Sequence, residues 1–97
     1  METIGKIDWV NGKPKLSLIP VEGLELEARA LMFGMNKHGK DSWKSLTDKE
    51  LFLDAALRHL TKYASGEKID PESGLSHLGH CRANLGFLSS KEASDDS

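Results

Sequence analysis

Apolar and polar positions fall into three helical blocks behind a shorter, irregular start. From Val21 to about His38, Leu24, Ala28, Leu31, Met32 and Met35 recur with the helical period as one stripe, while Leu26, Ala30 and Phe33 form a second on roughly the opposite side. A helix apolar on two sides is expected to be sandwiched between neighbours. Gly39 supplies its stop, and "HGKDSWKSL" reads as a loop carrying Trp43. Thr47, Asp48, Lys49 and Glu50 have the capping-box spacing, which predicts a second helix capped by Thr47 and running to about residue 65. Its apolar arc is Phe52, Leu53, Ala56, Leu57, Leu60, Tyr63 and Ala64, and Gly66 ends it. After the connection "GEKIDPES", Asp70 as cap and Pro71 in the first turn predict a third helix through about residue 88.

The flanks are weaker in pattern. The Asn11-Gly12 pair suits a tight turn between apolar alternations at 7–10 and 16–19, but Pro14 and Pro20 oppose strand pairing. The arm is therefore either a hairpin or an extended segment. Residues 89–97 are polar and acidic, and a disordered tail is expected there. The organisation predicted is an arm at 1–20, a helical domain at 21–88 and a tail at 89–97. This makes an all-α fold, a compact bundle of three main helices. A chain of 97 residues has room for one domain, so a deep cleft is expected to draw on a second copy, and a homo-oligomer is the natural partner state.

Charge narrows the partners. A formal net charge of -2 lacks the broad basic field that holds proteins on extended nucleic acid or anionic membrane, and no apolar run approaches spanning length. One cysteine, Cys81, and no basic, apolar export signal point to a reducing cytoplasm.

Candidate chemistry gathers on the last two helices. At about 100° per residue, His77, His80 and Asn84 share one narrow sector of the third helix, bordered by Phe87, Leu88 and Cys81. A second narrow face carries Gly79, Ala83 and Gly86, small enough to let another helix come close. Imidazoles and an amide beside apolar surface need hydrogen-bond partners or a ligand, because leaving each unpaired costs about 1–3 kcal/mol; partners on the second helix would serve the fold alone. Asp54 and Arg58 have the spacing of a surface ion pair, yet a guanidinium beside His59 also suits phosphate. Glu67, Asp70 and Glu72 place three carboxylates in six residues, either as caps and solvated charges or as oxygen ligands for Mg²⁺. His77 and His80 have a chelate spacing, but with no cysteine pair and no Glu beside the first His the zinc-protease pattern is missing and no zinc is expected. Lys37, His38, Lys40 and Lys44 surround Trp43, forming a solvated loop or a lip on which a base stacks. Cys81 has no activating cation nearby in sequence and is expected to pack rather than react. Phosphate-binding P-loop, dinucleotide-binding, nucleophile-elbow and His-Asp motifs are all absent.

Three stretches, "GKPKLSLIP", "ALMFGMNKHGKDSW" and "DAALRHLTKYASGEKIDPESGLSHLGHCRANLGFL", resemble the phage and prophage domain at the N-terminus of dATP/dGTP diphosphohydrolases, over about residues 13–88. The most specific part is the ordered series Asp54, Arg58, His59, Gly66, Glu67, Asp70, Pro71, Glu72, Ser73, Gly74, His77, His80 and Asn84. The resemblance implies a nucleotide-handling protein of the cytoplasm, the host's if phage-encoded, cutting a purine deoxynucleoside triphosphate to monophosphate and pyrophosphate with Mg²⁺. Under it, Asp54, Glu67, Asp70 and Glu72 are the expected metal ligands, and Asp54, Glu67, Glu72 and His77 the expected catalytic set. Lys13, Lys37, Trp43, Arg58, His59, His77, His80 and Asn84 are expected to bind nucleotide. The wider all-α pyrophosphohydrolase group holds Mg²⁺ with ExxE and ExxD motifs, here matched by Glu22 with Glu25 and by Glu67 with Asp70, the second in an expected loop. The alternative is a stand-alone domain that binds a linear or cyclic nucleotide without cutting it, a sponge for a host immune signal.

Overall fold

The computed structural model describes residues 12–94. It contains three main helices, α1 (Val21–His38), α2 (Lys49–Ala64) and α3 (His77–Ser94), with 3-10 turns at Leu16–Leu18 and Ser42–Ser45. Among the described residues there is no strand, only a single bridge between Ile69 and Ser76. No described helix is long and apolar enough to cross a membrane.

Local chemistry accounts for the boundaries. Gly39, at φ 91°, closes α1 by donating its N–H to the Met35 carbonyl at 2.8 Å. The α2 cap is Asp48 rather than Thr47: its carboxylate accepts the Glu50 N–H at 3.0 Å, and a carboxylate is the stronger acceptor at the positive end of a helix. Gly66, at φ 110°, ends α2 in a left-handed turn, and the Glu67 N–H reaches back to the Lys62 carbonyl at 3.0 Å.

The third helix starts later than its cap signal predicts. Asp70 and Pro71 open a tight turn, not a helix, because the Asp70 carboxylate takes both the Ser73 N–H and the Ser73 hydroxyl while Gly74 turns left-handed at φ 72°. The His77 N–H bonds back to the Lys68 carbonyl, and only then does α3 begin. At its far end α3 continues to Ser94, well past the expected stop near residue 88. Phe87 and Lys91, one turn apart, both contact Trp43, and this packing extends the helix into the segment expected to be disordered. In the arm, 16–18 form a 3-10 turn where a strand was one expectation; the other half of that hairpin lies outside the described residues.

The sandwiched helix is α3, not α1. Both α1 and α2 pack on α3 and scarcely touch each other. Gly79 makes the closest approach: a Cβ there would sit 2.5 Å from the Leu26 carbonyl oxygen. Gly86 faces the side-chain carboxylate of Glu27, with a Cβ there 2.9 Å from Oε2, so the small-residue face lies against α1 and its backbone contact is at Gly79. Only one of the two α1 stripes is covered, the one with Ala30 buried; Met32 is 64% exposed and Met35 49% exposed on the other. The core between the helices is small, with Ala30, Phe52, Ala56, Cys81 and Ala83 as its buried apolar residues and Asp70, His77 and His80 as its buried polar ones.

Candidate functional site

Because α1 and α2 lean on α3 without closing on each other, they leave a groove of about 970 Å³ with α3 as its floor. That is the scale of a small-molecule site. Ala83, Asn84 and Phe87 form part of the floor; Phe33 and Lys37 stand on the α1 side; Arg58 and His59 stand on the α2 side; Asp70 and Glu72 close one end, and Trp43 lines it from the loop after α1.

At the α2–α3 contact three imidazoles meet. His59 Nδ1 and His77 Nδ1 are 2.9 Å apart, and His59 stacks on His80 at 4.7 Å between centroids and 18° between planes. His77, with no exposed surface, places Nε2 at 2.8 Å from a Glu67 carboxylate oxygen. His80 Nε2 lies 2.6 Å from Ser73 Oγ, which itself bonds Asp70 Oδ2 at 2.8 Å. One proton arrangement satisfies every contact with all three rings neutral: His77 Nε2–H donates to Glu67, His59 Nδ1–H donates to His77, and His80 Nε2–H donates to Ser73, whose hydroxyl donates to Asp70. For His59 and His80 electrostatics agree. Burial, with the neighbouring His80 and His77, pulls His59 down to about 4. Burial also lowers His80, against the opposing pull of Asp70. Burial acts to raise Asp70, but hydrogen bonds from Ser73 outweigh it and hold the carboxyl below its ordinary value.

Among the described residues, Arg58 has no ion-pair partner; the surface pair with Asp54 does not form, and the guanidinium lies along the groove wall. Lys37 is spoken for, at 2.6 Å from Glu72 and 5.9 Å above the Phe33 ring. Asn84 lines the groove while donating to the His80 carbonyl at 2.9 Å. Trp43 stacks on Phe87 at 4.9 Å, so one indole face is covered. Lys13 is exposed in the arm and does not line the groove, nor do Glu22 and Glu25, exposed near the start of α1. Cys81 is buried, and burial raises its thiol, as packing rather than reactivity requires.

The carboxylates expected to hold Mg²⁺ are not brought together. Asp54 is exposed on α2 and outside the groove lining, Glu67 serves His77, Glu72 serves Lys37, and only Asp70 joins a cluster of donor atoms, with His59 and His77. Mg²⁺ favours oxygen ligands and near-ideal octahedra, and this set does not supply them.

Two roles escaped the sequence reading, that of Ser73, which stands in the matching series without one, and that of Lys91. Ser73 links Asp70 to His80, a role that only the turn geometry creates. Lys91 lies 5.5 Å from the Trp43 ring centroid and bonds the Lys44 carbonyl; its one-turn spacing from Phe87 was the available signal.

Comparison with known proteins adds a second line. The family model described as dATP/dGTP diphosphohydrolase, N-terminal, matches residues 5–97. A protein of Salmonella phage PMBT28 named dATP/dGTP diphosphohydrolase is 36% identical over 94 residues, which cover 93% of this chain and 32% of the phage protein. The chain thus spans a minor part of that relative's length. No solved structure matches.

Proposed function

The chain belongs to the dATP/dGTP diphosphohydrolase N-terminal family, and from that premise we propose that it binds a purine deoxynucleoside triphosphate in the groove between α1 and α2. The observation that carries this reading is the Arg58 guanidinium, without an ion-pair partner among the described residues, set beside His59, His80 and Asn84 on the wall and floor of one groove. A guanidinium is the natural bidentate partner of a phosphate, and hydrogen bonds to charged groups contribute about 1.5–3 kcal/mol each. The neutral imidazoles do not repel the cationic Arg58, and the second N–H of the Asn84 amide adds a donor. The Trp43–Phe87 wall, with Lys91 above it, offers apolar area for a base. The reaction proposed is attack of water on phosphorus, releasing deoxynucleoside monophosphate and pyrophosphate.

A second reading, binding without cutting, has its own support. Glu67, Asp70 and Glu72 are each engaged by a neighbouring side chain rather than free to activate water. Under it the chain holds a linear or cyclic nucleotide and keeps it from other proteins.

Two measurements separate the readings. Ligand at a hundred times its Kd stabilises a fold by about 2.7 kcal/mol, so dATP or dGTP should raise the melting temperature clearly. Pyrophosphate release from the same samples, with Mg²⁺, Mn²⁺ or Co²⁺ present, reports cutting. Binding without product selects the second reading; no shift with any linear or cyclic nucleotide ends both.

A further inference from the structure

From the paired imidazoles at the α2–α3 contact we infer that His59, His77 and Asp70 form a binding site for a divalent transition-metal ion, of the class that takes imidazole nitrogen together with oxygen, rather than for Mg²⁺. These three residues are the one group of His, Cys, Asp and Glu side chains among the described residues whose donor atoms all lie within 4.8 Å of one another. They come from α2, from the turn and from the first residue of α3, so no sequence spacing announces them.

Three observations support the assignment independently. The first is the distance between donors. With metal–nitrogen bonds of about 2.1 Å, two ligands at a right angle lie about 3.0 Å apart and two at a tetrahedral angle about 3.4 Å apart. His59 Nδ1 and His77 Nδ1 are separated by 2.9 Å, the edge of an octahedron. The second is the carboxylate behind the ring. Histidines that bind metals characteristically donate their other ring N–H to a carboxylate, which fixes the tautomer and raises ligand basicity. Glu67 occupies that position on His77 Nε2, leaving the Nδ1 lone pair directed at His59. The third is chemical type. Two imidazoles and one carboxylate, with further positions open, suit Fe²⁺, Co²⁺, Ni²⁺ or Zn²⁺, whereas a Mg²⁺ site is built from oxygen.

Closing on an ion requires two changes, both local. His59 gives up its Nδ1 proton and takes the Nε2–H tautomer. Asp70 moves by about 1–2 Å to bring one oxygen to bonding distance. His59 and Asp70 both line the groove, so an ion there would face any phosphate that Arg58 holds. The inference itself does not require a nucleotide, and metal uptake is read separately from nucleotide uptake.

The test uses the untagged full chain, stripped with a chelator and titrated with Co²⁺ by calorimetry and visible absorption. One equivalent should bind with the weak spectrum of a six-coordinate ion, and a hundredfold excess of Mg²⁺ should leave it in place. His59→Ala should abolish uptake while circular dichroism shows the helices intact. Glu67→Gln, at a residue whose side chain is 44% exposed, should weaken uptake about 10–100-fold and decides the matter even if His59→Ala unfolds. Absence of Co²⁺ binding by the unmodified chain, displacement by equimolar Mg²⁺, or unaltered affinity in Glu67→Gln would overturn the assignment.

Discussion

Replacing Gly79 with alanine tests whether α1 is seated on α3 by close backbone contact. The new Cβ would lie 2.5 Å from the Leu26 carbonyl oxygen and 3.0 Å from its carbon. Ordinary contact begins at 3.4 Å, so the two helices must part by about 0.9 Å, and backbone cannot swing aside as a side-chain tip can. Overpacking of this kind costs about 1–3 kcal/mol. Alanine returns about 0.5–1 kcal/mol of helix propensity, at the small end here because Gly79 is in the first turn of α3. The net expectation is a loss of about 1–2 kcal/mol, or a fall of about 4–16 °C in melting temperature for a domain of this size. Gly34→Ala is the matched control. Gly34 is inside α1, and a Cβ added there would meet nothing within 4 Å, so the same substitution should stabilise by about 0.5–1 kcal/mol. Urea denaturation followed by helical circular dichroism gives both values on one scale. If Gly79→Ala matches or exceeds the parent stability, or if the two variants shift in the same direction, the close contact between α1 and α3 is not what seats α1.

Three further outcomes follow from the site and the surface. Arg58→Ala should weaken dATP or dGTP binding at least tenfold in calorimetry, the equivalent of about 1.4 kcal/mol. Its melting temperature should stay near the parent value because the residue is exposed; unchanged affinity would remove Arg58 from the phosphate. Acid should destabilise the metal-free chain. The unfolded His59 takes a proton near 6.5 while the folded one resists until about 4, so the unfolded state binds more protons between those values and stability falls as pH drops through them. After discounting for partial exposure the loss is about 1–2 kcal/mol, and His59→Gln should flatten the profile; a urea midpoint that holds or rises on acidification would contradict it. The uncovered stripe of α1 predicts self-association, which Met32→Glu with Met35→Glu should reduce in sedimentation experiments. A parent chain that sediments as a single copy at all concentrations would refute this.

Helix existence was legible because Ala30, Phe52 and Ala56 keep the 3.6-residue period against α3 and because Gly39 and Gly66 stop their helices by left-handed or open backbone. The small face of Gly79, Ala83 and Gly86 was legible for the same reason: no other role suits three small residues in register. What pattern could not supply was competition between neighbours. Asp70 followed by Pro71 has the signature of a helix start, and only the geometry of Ser73 and Gly74 shows the carboxylate turned inward to a loop. The grouping of His77 with His80 and Asn84 came from the helical wheel, yet the shortest imidazole contact, to His59, joins residues on different helices and carries no periodic signal. Likewise the acidity of the tail hid Lys91, whose packing on Trp43 depends on a loop the pattern left unplaced.

The arrangement of α1 and α2 on a shared support has a mechanical consequence. Like the legs of a pair of compasses pivoting on one joint, the two helices would change their spread by rocking on α3, with the close contact at Gly79 marking where one leg would hinge. A guest long enough to touch Phe33 on one leg and Arg58 on the other becomes a crossbar. The protein would then owe part of its stiffness to what it carries: amide exchange in α1 and α2 should slow together on loading, while α3, already braced on both sides, changes least.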